Sequence, residues 1–106
     1  MARVLKREAA LRDLVAQWVW YAENGGIPIA DRFLNAANAT LELLAAHPES
    51  GRLFVSRKQG LRGIRQMPIS DGFEKNLLFY FPLPDGVDLV RVIHGSRDLE
   101  RLLGED

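Results

Sequence analysis

The chain has 106 residues and a mass of 11.9 kDa, with 47% hydrophobic and 26% charged residues, a composition that fits one ordinary globular domain spanning residues 1–106. Its 14 basic and 14 acidic residues cancel, and it has no cysteine, which excludes a disulfide scaffold, a thiolate metal site and a cysteine nucleophile. Only His47 and His94 offer imidazole, without carboxylates at ligand spacing, so no metal and no cofactor is expected. No apolar run approaches the roughly 18 residues of a bilayer span, and Met1 to Lys6 lack the apolar stretch of a signal peptide. The expectation is a cytoplasmic domain with no membrane contact.

In chain order, Ala2 to Lys6 reads as a short first strand around Val4 and Leu5. From Arg7 the period changes: Leu11, Leu14, Val15, Trp18 and Ala22 recur at the spacing of one helical face. Asn24-Gly25-Gly26 ends that helix, because glycine takes the left-handed conformation that helix C-termini favour. Pro28 suits the first turn of a second helix, whose face is marked by Ala30, Phe33, Leu34, Ala37, Leu41 and Leu44 and which closes at His47-Pro48. The two helices form an antiparallel hairpin.

Pro48 to Gly51 is a turn, and the stretch to Gly60 is poorly periodic. Leu61 to Met67, Phe73 to Phe81 and Val87 to Ile93 read as strands, the last two joined as a hairpin through Pro84-Asp85-Gly86. Ser96 is positioned to cap a final short helix carrying Leu99, Leu102 and Leu103. The predicted order is β-α-α-β-β-β-α: an α+β fold in which the N-terminal helical hairpin covers one face of a small, mostly antiparallel sheet.

The element order joins several recognisable segments: Trp18-Val19-Trp20-Tyr21-Ala22, Pro48-x-x-Gly51, Leu61-Arg62-Gly63-Ile64-Arg65 followed by Pro68, Leu78 to Phe81, and Val90-Arg91-Val92-Ile93-His94-Gly95-Ser96-Arg97-Asp98. Over nearly the whole chain they resemble the ParE branch of the ParE/RelE toxins of bacterial type II toxin–antitoxin modules. The resemblance implies a toxin neutralised by a cognate antitoxin in a hetero-oligomeric complex. For the ParE branch the implied target is DNA gyrase; for the RelE branch it is mRNA, cut in the ribosome. A fold hosts both activities, so the side chains have to choose between them.

Cutting RNA through its 2′-hydroxyl requires a base, an acid and cations for the developing phosphorane charge. Arg65, Arg91 and His94 are the candidates, with Lys58 as a further phosphate clamp and Tyr80 as a weaker acid. They serve only if Arg65 and Arg91 converge on one sheet face. His94 reads equally as a strand-end residue that fixes the turn at Gly95, and Arg91 needs a carboxylate partner if its strand face meets the helices. For the ribonuclease branch the resemblance implies a dense basic surface and often a tyrosine or histidine very near the C-terminus, whereas here the terminus Leu102 to Asp106 is acidic and carries neither. Gyrase poisoning by binding is therefore the leading expectation, and ribosome-dependent mRNA cleavage the alternative. A third reading is a member that keeps antitoxin binding but has lost toxicity.

A binding toxin needs surfaces. With Leu11 at zero on a helical wheel, Trp18 falls in the core and Trp20 about half a turn away, where it either packs on the first strand or the second helix or, as the resemblance implies, is an anchor for the antitoxin. Residues 52–66 carry Arg52, Arg57, Lys58, Arg62 and Arg65 and no acid, a stretch suited to an acidic antitoxin segment or to the target. Arg97 joins these as a partner-binding candidate, pairing with Asp98 being its structural alternative.

Overall fold

A computed structural model describes residues 2–95 and 98–104. The elements are β1 (Arg3–Lys6), α1 (Glu8–Gly25), α2 (Ile27–Ala46), β2 (Arg52–Leu53), β3 (Arg65–Pro68), β4 (Asn76–Leu83), β5 (Gly86–His94) and α3 (Leu99–Leu103). They build a five-stranded sheet in the order β1-β5-β4-β3-β2, antiparallel except for the parallel β1–β5 pair. The α+β architecture is as the sequence implies, with the two-residue β2 as an added strand.

Only Gly26 separates α1 from α2. Its φ of 94° lets one residue end the first helix, donating to Ala22 O, and begin the second, whose Ala30 N donates to Gly26 O. The hairpin packs on β5, β4 and β1, closing a core of Ala10, Leu14, Phe33, Ala37, Leu41, Leu44, Leu78, Tyr80, Val87 and Leu89. A smaller core on the opposite sheet face joins Leu61, Ile64, Phe79, Val90, Ile93 and Leu103 under α3. Gly86 is required where β1 begins: a Cβ there would run into the Arg3 backbone, its register partner.

Four expectations need correcting. The second predicted strand does not begin at Leu61. That residue lies in a 3₁₀ turn, Gln59–Leu61, and Gly63 (φ 87°) turns the chain before Arg65. Phe73 is not in a strand either: Asp71 (φ 61°) and Gly72 (φ 96°) make a tight turn that drops its ring into the core, and β4 starts at Asn76.

The other two concern orientation. Trp18 is not core: it is half-buried, and its indole N–H donates to Asp31 Oδ1 at 3.2 Å. The buried face of α1 is centred on Ala10 and Leu14, with Asp13, Gln17 and Tyr21 beside them, so the stripe of Leu11, Val15 and Val19 is turned to solvent. Finally, a bulge in β5 opposite Phe79 and Tyr80 breaks the alternation expected for Leu89, Arg91 and Ile93, so that Leu89 and Ile93 end up in different cores. Ser96 and Arg97 lie outside the described residues. Asp98 caps α3, accepting from Arg101 N at 3.3 Å.

Candidate functional site: two partner-facing surfaces

The first surface follows from the orientation of α1. Leu11 is 47% exposed and Val15 64%, and with Trp18, Leu34, Lys6 and Asn38 they line a mostly apolar groove of about 400 Å³ between the helices. Lys6 Nζ donates to Asn38 Oδ1 at one end of it. Monomers rarely leave such a stripe uncovered, and contiguous exposed apolar surface marks interaction sites. Val19 and Trp20 (53% exposed) extend the apolar surface. Trp20 stands edge-on to Tyr21, with centroids 5.2 Å apart, and borders an open depression of about 720 Å³ that also takes in Gln17, Phe73, Lys75 and His94.

The second surface is cationic. Arg52, Arg57, Lys58 and Arg62 are all exposed. The loop carrying them is anchored to α3: Glu100 Oε1 accepts from Ser56 Oγ at 2.7 Å and from Arg57 N at 3.2 Å, while Lys58 Nζ donates to Glu100 O at 3.0 Å. A five-residue helix has no stability of its own. Lys58 and Arg91 hold it by donating to its last carbonyls, where positive charge meets the negative end of the helix dipole.

The three ribonuclease candidates do not converge: Arg91 and His94 share the rim of a depression of about 200 Å³ with Asp13 and Gln17, and Arg65 lies apart from both. Arg65 stands opposite Tyr80 and Arg91 opposite Phe79, and these two rings belong to cores on opposite faces of the sheet. Arg65 Nη1 donates to Gly51 O at 2.6 Å and to Glu49 O at 3.1 Å, tying down the turn before β2. Arg91 forms a bidentate pair with Asp13, Nε to Oδ2 at 2.7 Å and Nη2 to Oδ1 at 3.1 Å, and donates to Leu102 O. His94 is opposite Asn76, four residues along β4 from Tyr80 and two strands from Arg65. That places the His94 and Arg65 Cα atoms roughly 16 Å apart. Tyr80 is buried, accepts from Gly51 N at 2.8 Å and donates to Pro48 O at 2.7 Å. Desolvation raises its pKa above the usual tyrosine value, against the lowering effect of Gly51 N–H and Arg65, which makes it a poorer acid.

Asp13 is the structurally decisive residue that the sequence pattern does not reveal. β1 stops at Lys6, opposite Leu89, while among the described residues β5 runs on to His94 without a strand on that side. Asp13 takes the place of the missing strand, accepting from Val92 N at 2.9 Å while pairing with Arg91. Its signal was the three-and-four spacing of Ala10, Asp13, Leu14 and Gln17, which the more apolar stripe beside it outweighs.

A small mixed sheet covered by a helical hairpin leaves one apolar and one cationic surface exposed. A sequence profile described as "ParE toxin of type II toxin-antitoxin system, parDE" matches residues 4–99, and the chain belongs to this family of ParE toxins. Among solved structures it is similar to a chain of the "Chromosomal ParDE TA system from P. aeruginosa", with a TM-score of 0.69 and 17% identity over 89% of this chain and 96% of that one. At that identity the likeness concerns the fold. No curated protein sequence matches. Among the described residues, no helix is long and apolar enough to cross a membrane.

Proposed function

We propose that residues 1–106 act as one toxin domain that poisons DNA gyrase by binding, works in the cytoplasm, and is held inactive by a cognate antitoxin. What carries this reading against mRNA cleavage is the separation of Arg65 from Arg91 and His94, with the two arginines held by structural partners on opposite sheet faces. Membership of the ParE family supports gyrase as the target. The groove lined by Leu11, Val15 and Trp18 suits an amphipathic antitoxin helix with its apolar residues at three-and-four spacing, and Trp20 extends that contact.

Two reactions run in parallel test the proposal. Purified protein is incubated with gyrase and supercoiled plasmid, and separately with programmed ribosomes. Trapped gyrase–DNA cleavage complexes are expected in the first. Codon-specific mRNA cuts in the second that vanish in Arg65→Ala would overturn the proposal in favour of a ribosome-dependent endoribonuclease. Silence in both, alongside intact antitoxin binding, would leave a member without toxicity and overturn it equally.

A further inference from the structure

Trp20 stands about half a turn round α1 from Leu11, and the depression it borders shares no lining residue with the groove between the helices. The floor of that depression is aromatic. Tyr21 packs against Phe33 and Phe73, with centroids 5.1 and 5.2 Å away, and its hydroxyl accepts from Asn76 Nδ2 at 3.0 Å. Trp20 is set at 83° to the Tyr21 ring, so the two make a corner whose inner ring is fixed. Tryptophan in such a concave, half-exposed setting is enriched among the residues that carry binding energy at interfaces.

A turn sets a carboxylate on the rim of the same depression. Asp71 (φ 61°) and Gly72 (φ 96°) reverse the chain between β3 and β4, and Gly72 N donates to Glu74 Oε2 at 3.2 Å. That bond orients the Glu74 carboxylate and engages one of its two oxygens. Among the described residues Glu74 forms no ion pair, and neither does Glu23, which lies about one turn beyond Trp20 on the same flank of α1. Lys75 is the permanently charged cation of the lining. It pairs with neither acid and does not cover the Trp20 ring: among the described residues the cation–ring contact is Arg7 over Phe81. Asp71 and Arg32 share the neighbouring hollow, where their charges offset one another.

We infer that this depression receives an arginine side chain presented by a protein partner, with its guanidinium laid on the Trp20 indole and donating to Glu74, and its methylenes over Tyr21 and Phe73. A guanidinium is planar and weakly hydrated, so its face stacks on an indole while its edge gives a carboxylate two parallel donors. A lysine ammonium has no flat face and cannot serve both at once. A nucleobase would also stack on Trp20, but its phosphate would meet Glu74 and Glu23 with Lys75 alone to offset them. The inference goes beyond the gyrase reading and does not rest on it, nor on the antitoxin helix in the groove, since it concerns the other flank of α1.

The test uses the full chain, ¹⁵N-labelled, with the blocked peptide Gly-Arg-Gly as probe. Gly-Lys-Gly, Gly-citrulline-Gly and thymidine 5′-monophosphate are the comparators. Trp18, whose indole N–H is bonded to Asp31 on the groove side, is the internal reference for Trp20. At millimolar arginine peptide, saturable shifts are expected at the Trp20 indole N–H and at the amides of Gly72 to Lys75, with the Trp18 indole unmoved. Citrulline keeps the shape and removes the charge, and its peptide is expected to bind about tenfold more weakly; the lysine peptide is expected to bind about threefold more weakly. Glu74→Gln and Trp20→Ala are each expected to weaken the arginine peptide about tenfold, the equivalent of roughly 1.4 kcal/mol. Both side chains are exposed, so urea midpoints should stay near wild type. Glu74→Gln keeps the size and an acceptor for Gly72 N–H, and it decides the matter if Trp20→Ala fails to fold. Equal binding of the citrulline or lysine peptide, equal binding by folded Glu74→Gln, tighter binding of the nucleotide, shifts centred on Trp18, or no saturable shift would each overturn the inference. None of these readouts involves gyrase, so the outcome is separate from that of the poisoning assay.

Discussion

Removing the Asp13 carboxylate probes how α1 is fixed to the sheet. Asp13 and Arg91 keep 17% and 16% of their side-chain surface, and the carboxylate carries a bidentate pair together with the Val92 N–H. Asp13→Ala therefore strands a largely buried guanidinium and an edge N–H. Breaking one side of a buried pair costs about 3–5 kcal/mol. Arg91 also keeps its bond to Leu102 O, so the lower end of that range, about 3 kcal/mol, is the expected loss. For a domain of this size that corresponds to a fall in Tm of roughly 12–20 °C. Asp13→Asn retains an acceptor for Val92 and is expected to lose about 1.5–2 kcal/mol, the charged part of the interaction. Urea denaturation gives both values, and a cycle with Arg91→Ala isolates the coupling, expected at about 1–3 kcal/mol. If Asp13→Ala lost under 0.5 kcal/mol, or the cycle closed without coupling, Asp13 would not be the pin between α1 and β5.

Other outcomes follow from the same contacts. Val15→Glu, at a residue 64% exposed, is expected to leave stability within about 0.5 kcal/mol of wild type while abolishing the complex with the antitoxin, as read by size-exclusion chromatography and calorimetry. The raised Tyr80 pKa makes the stability it contributes complete below the ordinary tyrosine value near 10; that stability falls as pH climbs from there through the folded value, because the unfolded phenol ionises first. Urea midpoints between pH 9 and 11 should decline more steeply in wild type than in Tyr80→Phe, which itself loses about 1–3 kcal/mol at pH 7 by orphaning Gly51 N–H and Pro48 O. Gly51→Ala is expected to destabilise by about 1–3 kcal/mol, because its Cβ would overlap the Tyr80 hydroxyl. Glu100→Ala should speed tryptic cleavage after Arg57 and Lys58 several-fold, since that carboxylate fastens their loop to α3.

Elements with a strong local cause were legible in the sequence. Gly25-Gly26-x-Pro28 set both helix boundaries to within about a residue, and Pro84-Asp85 placed the β4–β5 hairpin because turn chemistry is local. The errors lie where tertiary context decides. β2 has two residues and no period of its own, so only its pairing with β3 defines it. Leu61 and Phe73 looked like strand residues because both are apolar, yet each is buried from a turn. The separation of Arg65 and Arg91 depended on register and on the β5 bulge, and neither leaves a mark in composition. Of the candidate surface, the exposed arginines and Trp20 were visible, whereas Leu11 and Val15 were assigned to the wrong side of their helix.

That last inversion has a physical meaning. A helical wheel locates the core by assuming that a helix has a single apolar face, and α1 has two demands on it. Its inward face is secured largely by small and polar groups: Ala10 packs at no side-chain entropy cost, Asp13 bonds the β5 edge, and the Tyr21 hydroxyl accepts from Asn76 Nδ2 at 3.0 Å. The bulkier Leu11, Val15 and Val19 are turned outward. Burying each from its half-exposed state is worth about 1 kcal/mol, and Trp20 about 2 kcal/mol. The stripe as a whole then offers on the order of 5 kcal/mol, which does little more than offset the cost of association. Such a stripe is too apolar for an idle surface and too small to hold a partner firmly alone. It selects a helix of the right spacing, while firm binding has to draw on directed polar contacts beyond α1.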